Sequence, residues 1–156
     1  MDWKKKDINS FLREVQDTMG DGQREPYDPT FVNNFPLNKH ECLYVFDLAA
    51  NDVIHHRGFD KLFGYDNEKI GIDFIFDKYH PDDAPLVKSV VKGCVSQFIK
   101  KPIPKLTNLL NVSYRFQRAD GTYADVLSNT IVLDTNREGH IKRVLLRYTD
   151  ISFAES

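Results

Sequence analysis

The sequence predicts an α+β domain, and three observations carry that expectation. Two short runs rich in aliphatic and aromatic residues flank a turn around Ala50, Asn51 and Asp52. A stripe of apolar residues at helical spacing follows, formed by Val87, Val90, Val91, Cys94, Val95 and Phe98. Beyond it, apolar and polar residues alternate around an Asp120-Gly121 turn. Period-2 alternation marks half-buried strands, and a period near 3.6 marks a helix. The predicted order is therefore strand, strand, short helices, one long helix, then three strands in a meander.

A chain of 156 residues holds one domain with a real core and a short appendage. It is 41% hydrophobic and 28% charged, with eleven Phe and seven Tyr, a globular rather than a disordered composition. The net charge of -2 is mixed along the chain, so no direct nucleic-acid contact is expected. No window approaches the run of roughly 20 apolar residues that a membrane span needs, and no secretory signal opens the chain. A cytoplasmic location is expected. The two cysteines, Cys42 and Cys94, lack metal-type or disulfide-framework spacing, and no metal site is expected.

In residues 1–22, Ile8, Phe11, Leu12, Val15 and Met19 recur on one helical face, and Gly20 or Gly22 can supply the stop. This predicts an amphipathic helix. Residues 23–40 contain three prolines that break any period, and they read as a connector. The main domain is expected over residues 41–152, opening with a β-hairpin whose strands end near Gly58. "FDKLFGYDNEKIGIDFIFDKYH" offers only short helices and loops. From Pro81 the apolar stripe predicts a helix of about five turns.

After the breaker "KKPIPK", Asp120-Gly121 signals a hairpin. A three-residue loop, Asp120-Gly121-Thr122, sets Phe116 opposite Val126 and Tyr114 opposite Ser128, and keeps Asp125 out of the core. The core face then holds Val112, Tyr114, Phe116, Val126, Ser128 and Thr130, with Val144, Leu146 and Tyr148 of the last strand. The other face carries Leu127, Ile131, Ile141 and Leu145, an apolar surface that needs a cover. The N-terminal helix, from its own chain or a partner's, is the expected cover, and a homodimer packed through these residues follows.

"KYHPDDAPLV" is the most chemical-looking stretch. Proline and carboxylates suit a helix N-terminus, where backbone N–H groups lack partners and a partial positive charge resides. His80 or Asp82 is the expected cap. The competing reading is a small α+β enzyme with His80, Asp82 or Asp83 as general acid/base, which needs these groups inside a cavity. His55 and His56 are adjacent on a strand, so they point to opposite faces and do not chelate one ion.

With these pieces in place, the chain resembles a PAS domain of the branch with an "HPDD"-like step before the long helix. "NDVIHHRGFDKLFGY", "HPDD", "YRFQRADGTY" and "YTDIS" occur in that family's order over about residues 41–152. The resemblance implies a five-stranded antiparallel sheet with short helices and one long helix on one face, enclosing a space that holds a ligand in some members. It also implies a sensory role, regulating an attached or separate output domain or partner protein. Residues 153–156 would then begin a linker to a missing output domain, with transcription regulation as the expected output. A ligand-free dimerisation module is the alternative.

The sequence departs from the family at two places. Ala124 or Asp125 stands where many relatives have an aromatic residue, and Leu146 and Arg147 where relatives often have a glycine. Larger side chains there would crowd the inner wall. The flavin-binding branch uses an Asn-Cys-Arg-Phe-Leu-Gln motif that is absent, which argues against flavin. Haem would find one candidate ligand, His80, at the helix start. No other cofactor is indicated. The candidate wall of a small-molecule pocket is Phe46, Phe63, Phe74, His80, Val91, Val95, Tyr114, Phe116, Ser128 and Tyr148.

Overall fold

The computed structural model describes residues 26–66 and 68–152. The helix expected over residues 1–22, with Ile8, Phe11, Leu12, Val15 and Met19, and the linker start at 153–156 lie outside the described residues.

Five strands, β1 Glu41–Asp47, β2 Asp52–Arg57, β3 Asn108–Gln117, β4 Tyr123–Thr135 and β5 Ile141–Asp150, form one antiparallel sheet in the order β2-β1-β5-β4-β3. The last strand thus lies beside the first. Four helices are present among the described residues: α1 Thr30–Asn34, α2 Phe59–Phe63, α3 Ile72–Asp77 and α4 Ala84–Phe98. The predicted α+β order holds from β1 onward.

Helix α1 corrects the expectation of an irregular connector. Its single turn starts where the Asp28 carboxylate accepts the Thr30 N–H, so the short polar side chain competes successfully for the backbone. Arg57 Nη1 of β2 donates to the carbonyls of Val32 and Phe35 at 2.7 and 2.8 Å, satisfying acceptors at the end of α1. Val32 is thereby set into the outer face of the sheet with Leu43, Val45, Leu133 and Leu145. Tyr27 adds a second tie: its hydroxyl is hydrogen-bonded to His55 Nδ1 at 2.8 Å, and its ring lies under the Arg143 guanidinium. Leu145 is fully buried there and Ile131 packs against the cluster, so residues of the connector cover part of this outer face. Leu127 is half-buried.

The β3–β4 hairpin keeps the predicted faces but slips by two residues. Tyr114 pairs with Val126 and Phe116 with Ala124. The loop does have three residues, but they are Ala119, Asp120 and Gly121, closed by Gly121 N–H to Arg118 O and Arg118 N–H to Thr122 O. Such a loop is a type I turn followed by a left-handed residue, and Gly121 takes that last position at φ 90°. The glycine's backbone freedom sets the register. Asp120 Oδ1 accepts from both the backbone and the hydroxyl of Thr122. Because a slip of two preserves side-chain alternation, Tyr114, Phe116, Val126, Ser128 and Tyr148 still face inward.

Ile141 is a third correction, since it lies on the inner side rather than beside Leu145. The β4–β5 pairing shifts between Val132 and Asp134 and again between Asp134 and Thr135. Bulges of this kind re-aim side chains at a strand end. Helix α4 starts at Ala84, three residues later than predicted, with Pro85 in its first turn.

Two cores flank the sheet. The inner one is dominated by rings: Tyr44, Phe59, Phe63, Tyr79, Tyr114, Phe116 and Tyr148. Strand β1 is buried on both faces, which fits its continuous apolar run "CLYVF".

Candidate functional site

Helix α4 is packed against the rest of the domain only at its start. Ala84 and Val87 are fully buried, whereas Val91, Cys94, Val95 and Phe98 are only partly covered. The later turns leave a gap over the inner face of the sheet, a cavity of about 130 Å³. On the helix side its wall is Val91, Cys94, Val95, Phe98 and Ile99. Phe46 of β1, Leu109 and Leu110 of β3, Thr130 of β4, and Ile141, Val144 and Leu146 of β5 form the sheet side. Leu48, Ile72, Phe76, Tyr44 and Tyr79 complete it. Among the described residues no charged side chain belongs to this wall.

Tyr44 and Tyr79 also join a buried group of hydroxyls. Tyr44 and Tyr148 hydroxyl oxygens are 3.2 Å apart, with rings edge to face at 5.4 Å. Tyr114 packs edge to face against Tyr79 at 4.8 Å and against Tyr148 at 5.8 Å, which brings these phenols and Ser128 together beside the pair. Burial pushes the Tyr44, Tyr114 and Tyr148 hydroxyls well above the ordinary tyrosine range and raises Tyr79 as well. The cluster is therefore neutral at physiological pH, because loss of water penalises the phenolate.

Of the candidate wall residues, the structure places Phe46, Val91 and Val95 on the cavity. It does not place the other seven there. Phe63 and Phe116 stack on each other at 4.8 Å in the packed core. Tyr114, Ser128 and Tyr148 are buried in the hydroxyl cluster, adjacent to the cavity through Tyr44 and Tyr79. Phe74 packs edge-on against Tyr65, with Lys78 Nζ 5.1 Å from its ring centre. His80 stands with Tyr123 at 4.7 Å and accepts the Asp82 N–H at Nδ1. The sequence did carry a signal for Ile99, which continues the stripe of Val91 and Val95 at i+4 spacing. Strand alternation puts Thr130 on the inner face, but nothing local marks Leu109 or Ile141, whose positions depend on pairing between distant strands.

Asp83, the residue before α4, makes no side-chain cap and instead binds Arg115 of β3. That guanidinium holds the Asp83 carboxyl below the usual aspartate range. Asp82 is largely exposed. None of His80, Asp82 and Asp83 lines the cavity, so the geometry gives acid/base chemistry no site there. His55 and His56 do face opposite ways, one to Tyr27 and one edge-on to Phe59.

Of the two free thiols, Cys42 is fully buried and Cys94 lies on the cavity wall. Burial raises both above the ordinary cysteine range. Among the described residues no cluster of three or more His, Cys, Asp or Glu could hold a metal, and no helix is long and apolar enough to cross a membrane. A cavity of this volume is far below the roughly 300–1,000 Å³ of ordinary cofactor and drug pockets. Leu146, one of the departures from the family, is one of the side chains of its wall.

No protein-family model and no curated protein matches the chain. Solved structures do. The N-terminal domain of a diguanylate cyclase with PAS/PAC sensor from Marinobacter aquaeolei superimposes with a TM-score of 0.58 at 18% identity, over 74% of this chain and 99% of that one. The PAS domain of the fruit-fly ELK potassium channel gives 0.57 at 17% identity, over 82% and 99%. A sensory box histidine kinase/response regulator from Burkholderia thailandensis gives 0.53 at 18% identity, over 75% and 81%. The chain has the PAS fold.

Proposed function

We propose that this chain is a sensory signalling module that binds a small ligand between α4 and the sheet and passes its occupancy to an output domain or partner. The cavity under the loosely packed end of α4 carries this reading, since filling it would draw the helix onto the strands. The route outward runs through β5. Asp150 N–H donates to His40 O beside β1, and the Asp125 N–H of β4 donates to Ser152 Oγ. Arg118 of the hairpin loop binds Asp150. A change at the sheet therefore reaches both flanks of the domain together.

The PAS neighbours whose names include a cyclase, a kinase and a channel support a signalling role by analogy of fold. Regulation of transcription is our preferred output among these. We place the module in the cytoplasm as a homodimer, packed through residues 1–22 and the outer sheet face near Leu127 and Ile131. Native mass spectrometry of protein purified from its own source tests the ligand: a bound small molecule is expected. Light scattering tests the dimer, which is expected to be lost when residues 1–22 are deleted.

One observation favours a ligand-free dimerisation module instead. Phe59, Phe63, Phe116 and Tyr148 already fill much of the inner space with rings. Native mass spectra showing a dimer and no added mass would select that reading.

A further inference from the structure

The chemistry of the cavity restricts what can occupy it, an inference that rests on the cavity being the ligand site. Its volume of about 130 Å³ is close to that of a dry protein cavity of about 150 Å³ that admits benzene or xenon. Aliphatic side chains and rings make up nearly all of its wall, and the polar exceptions are the neutral groups of Tyr44, Tyr79, Thr130 and Cys94. The hydroxyls of Tyr44 and Tyr79 are already engaged within the tyrosine cluster. An anion entering this space would lose its water and find no cationic side chain among the described residues of the wall to replace it. A charged ligand is therefore disfavoured by far more than shape alone would cause.

We propose that the cavity takes a neutral, mainly hydrocarbon molecule the size of a single aromatic ring, and rejects carboxylates of the same shape. The partly covered side chains of α4 give such a molecule a way in: Val91, Cys94, Val95 and Phe98 have few neighbours to displace compared with Ala84 and Val87. Occupancy adds contacts to this end of the helix. It also shields the Cys94 thiol, which stands on the wall as a built-in reporter.

Three probes separate charge from shape: toluene, nitrobenzene and benzoate, the last two being nearly isosteric. They are added to the full 156-residue chain, and the methyl resonances of Val91, Val95 and Val144 are followed by NMR together with the rate of Cys94 alkylation. Toluene and nitrobenzene are expected to shift these methyls and to slow alkylation about tenfold when present at about ten times Kd. Benzoate is expected to do neither. Val95→Phe, which fills the space, is expected to abolish the response, and Leu146→Phe serves where that variant fails to fold. Benzoate binding within about tenfold of nitrobenzene would overturn the ligand class while leaving the cavity as a ligand site. Silence of the folded wild type toward all three would overturn both. A toluene response that persists in the filled variants places binding elsewhere and also overturns the proposal.

Discussion

The carboxylate of Asp83 grips the guanidinium of Arg115 with both oxygens, Oδ1 2.8 Å from Nη2 and Oδ2 3.0 Å from Nε. The same Oδ2 accepts the Arg115 backbone N–H at 2.8 Å. Around this pair, His80 N–H donates to Arg115 O and Gln117 N–H to Lys78 O, so the approach to α4 is stitched along the edge of β3. The long helix is therefore anchored at the end where it is buried and loose where the cavity lies.

That anchor predicts an acid-sensitive contribution to stability. The Asp83 pKa is lowered in the folded state, chiefly by its hydrogen bonds from Arg115. Its stabilisation is present in full above the ordinary aspartate pKa of about 3.9 and is lost as pH falls through the lower folded value. Urea denaturation stepped downward from neutral pH should show wild type losing stability below about pH 4 more steeply than Asp83→Asn. Parallel profiles would remove the pair from any account of acid unfolding.

Within the tyrosine cluster, the Tyr148 hydroxyl lies among those of Tyr44, Tyr79 and Tyr114, whereas Tyr44 has Tyr148 as its hydrogen-bonded hydroxyl partner. Removing the central hydroxyl leaves several buried groups short of a partner, at about 1–3 kcal/mol. Tyr148→Phe should therefore destabilise more than Tyr44→Phe in denaturant titrations. Equal losses would mean that the hydroxyls do not act as a connected group.

Two glycines with left-handed backbone separate strain from crowding. Gly121 has φ 90° with open space around it, while a Cβ on Gly58, at φ 89°, would stand 3.1 Å from Glu41 O and 3.2 Å from Cys42. Alanine at Gly121 should cost about 1–2 kcal/mol from backbone strain alone. Gly58→Ala should cost at least about 1 kcal/mol more, because β1 backbone must also give way. Thermal melts of the two variants decide between this order and its reverse.

The connector's hold on the outer face can be tested through Arg57. Losing the two bonds from its guanidinium leaves the Val32 and Phe35 carbonyls without that donor, and α1 has only one turn of its own to resist opening. Limited proteolysis should cut within residues 26–40 faster in Arg57→Ala than in wild type, with the exposed Arg137→Ala as the unaffected control. Unchanged cleavage would assign the docking to Val32 and its apolar neighbours instead.

How much of this was legible in the sequence varied with the distance over which each feature is decided. The order of strands and helices, the inward face of β3 to β5 apart from Ile141, and the opposite orientation of His55 and His56 follow from local periodicity. Register did not follow, because the turn can begin at any of several residues and only the left-handed requirement at Gly121 selects one. The "HPDD" step is legible as a helix start, with His80 or Asp82 as the expected cap, and His80 Nδ1 does accept the Asp82 N–H there. Arg115, thirty-two residues away, draws Asp83 into a bond that no local pattern announces.

The candidate site was the least legible part for the same reason. Phe63, Tyr114, Phe116 and Tyr148 were as suitable in type for a cavity wall as Phe46, Val91 and Val95. Ring packing consumed the first group, and the standoff of α4 exposed the second.

By itself the sequence determined the α+β class, the element order and which face of each strand is apolar, since these depend on side-chain alternation within a few residues. The tertiary structure alone decided three things: where the helix meets the sheet, which aromatic rings fill the interior, and where a gap remains. Each is set by contacts between segments far apart in the chain. A cavity is what packing leaves over, so no residue encodes it until all of them are in place.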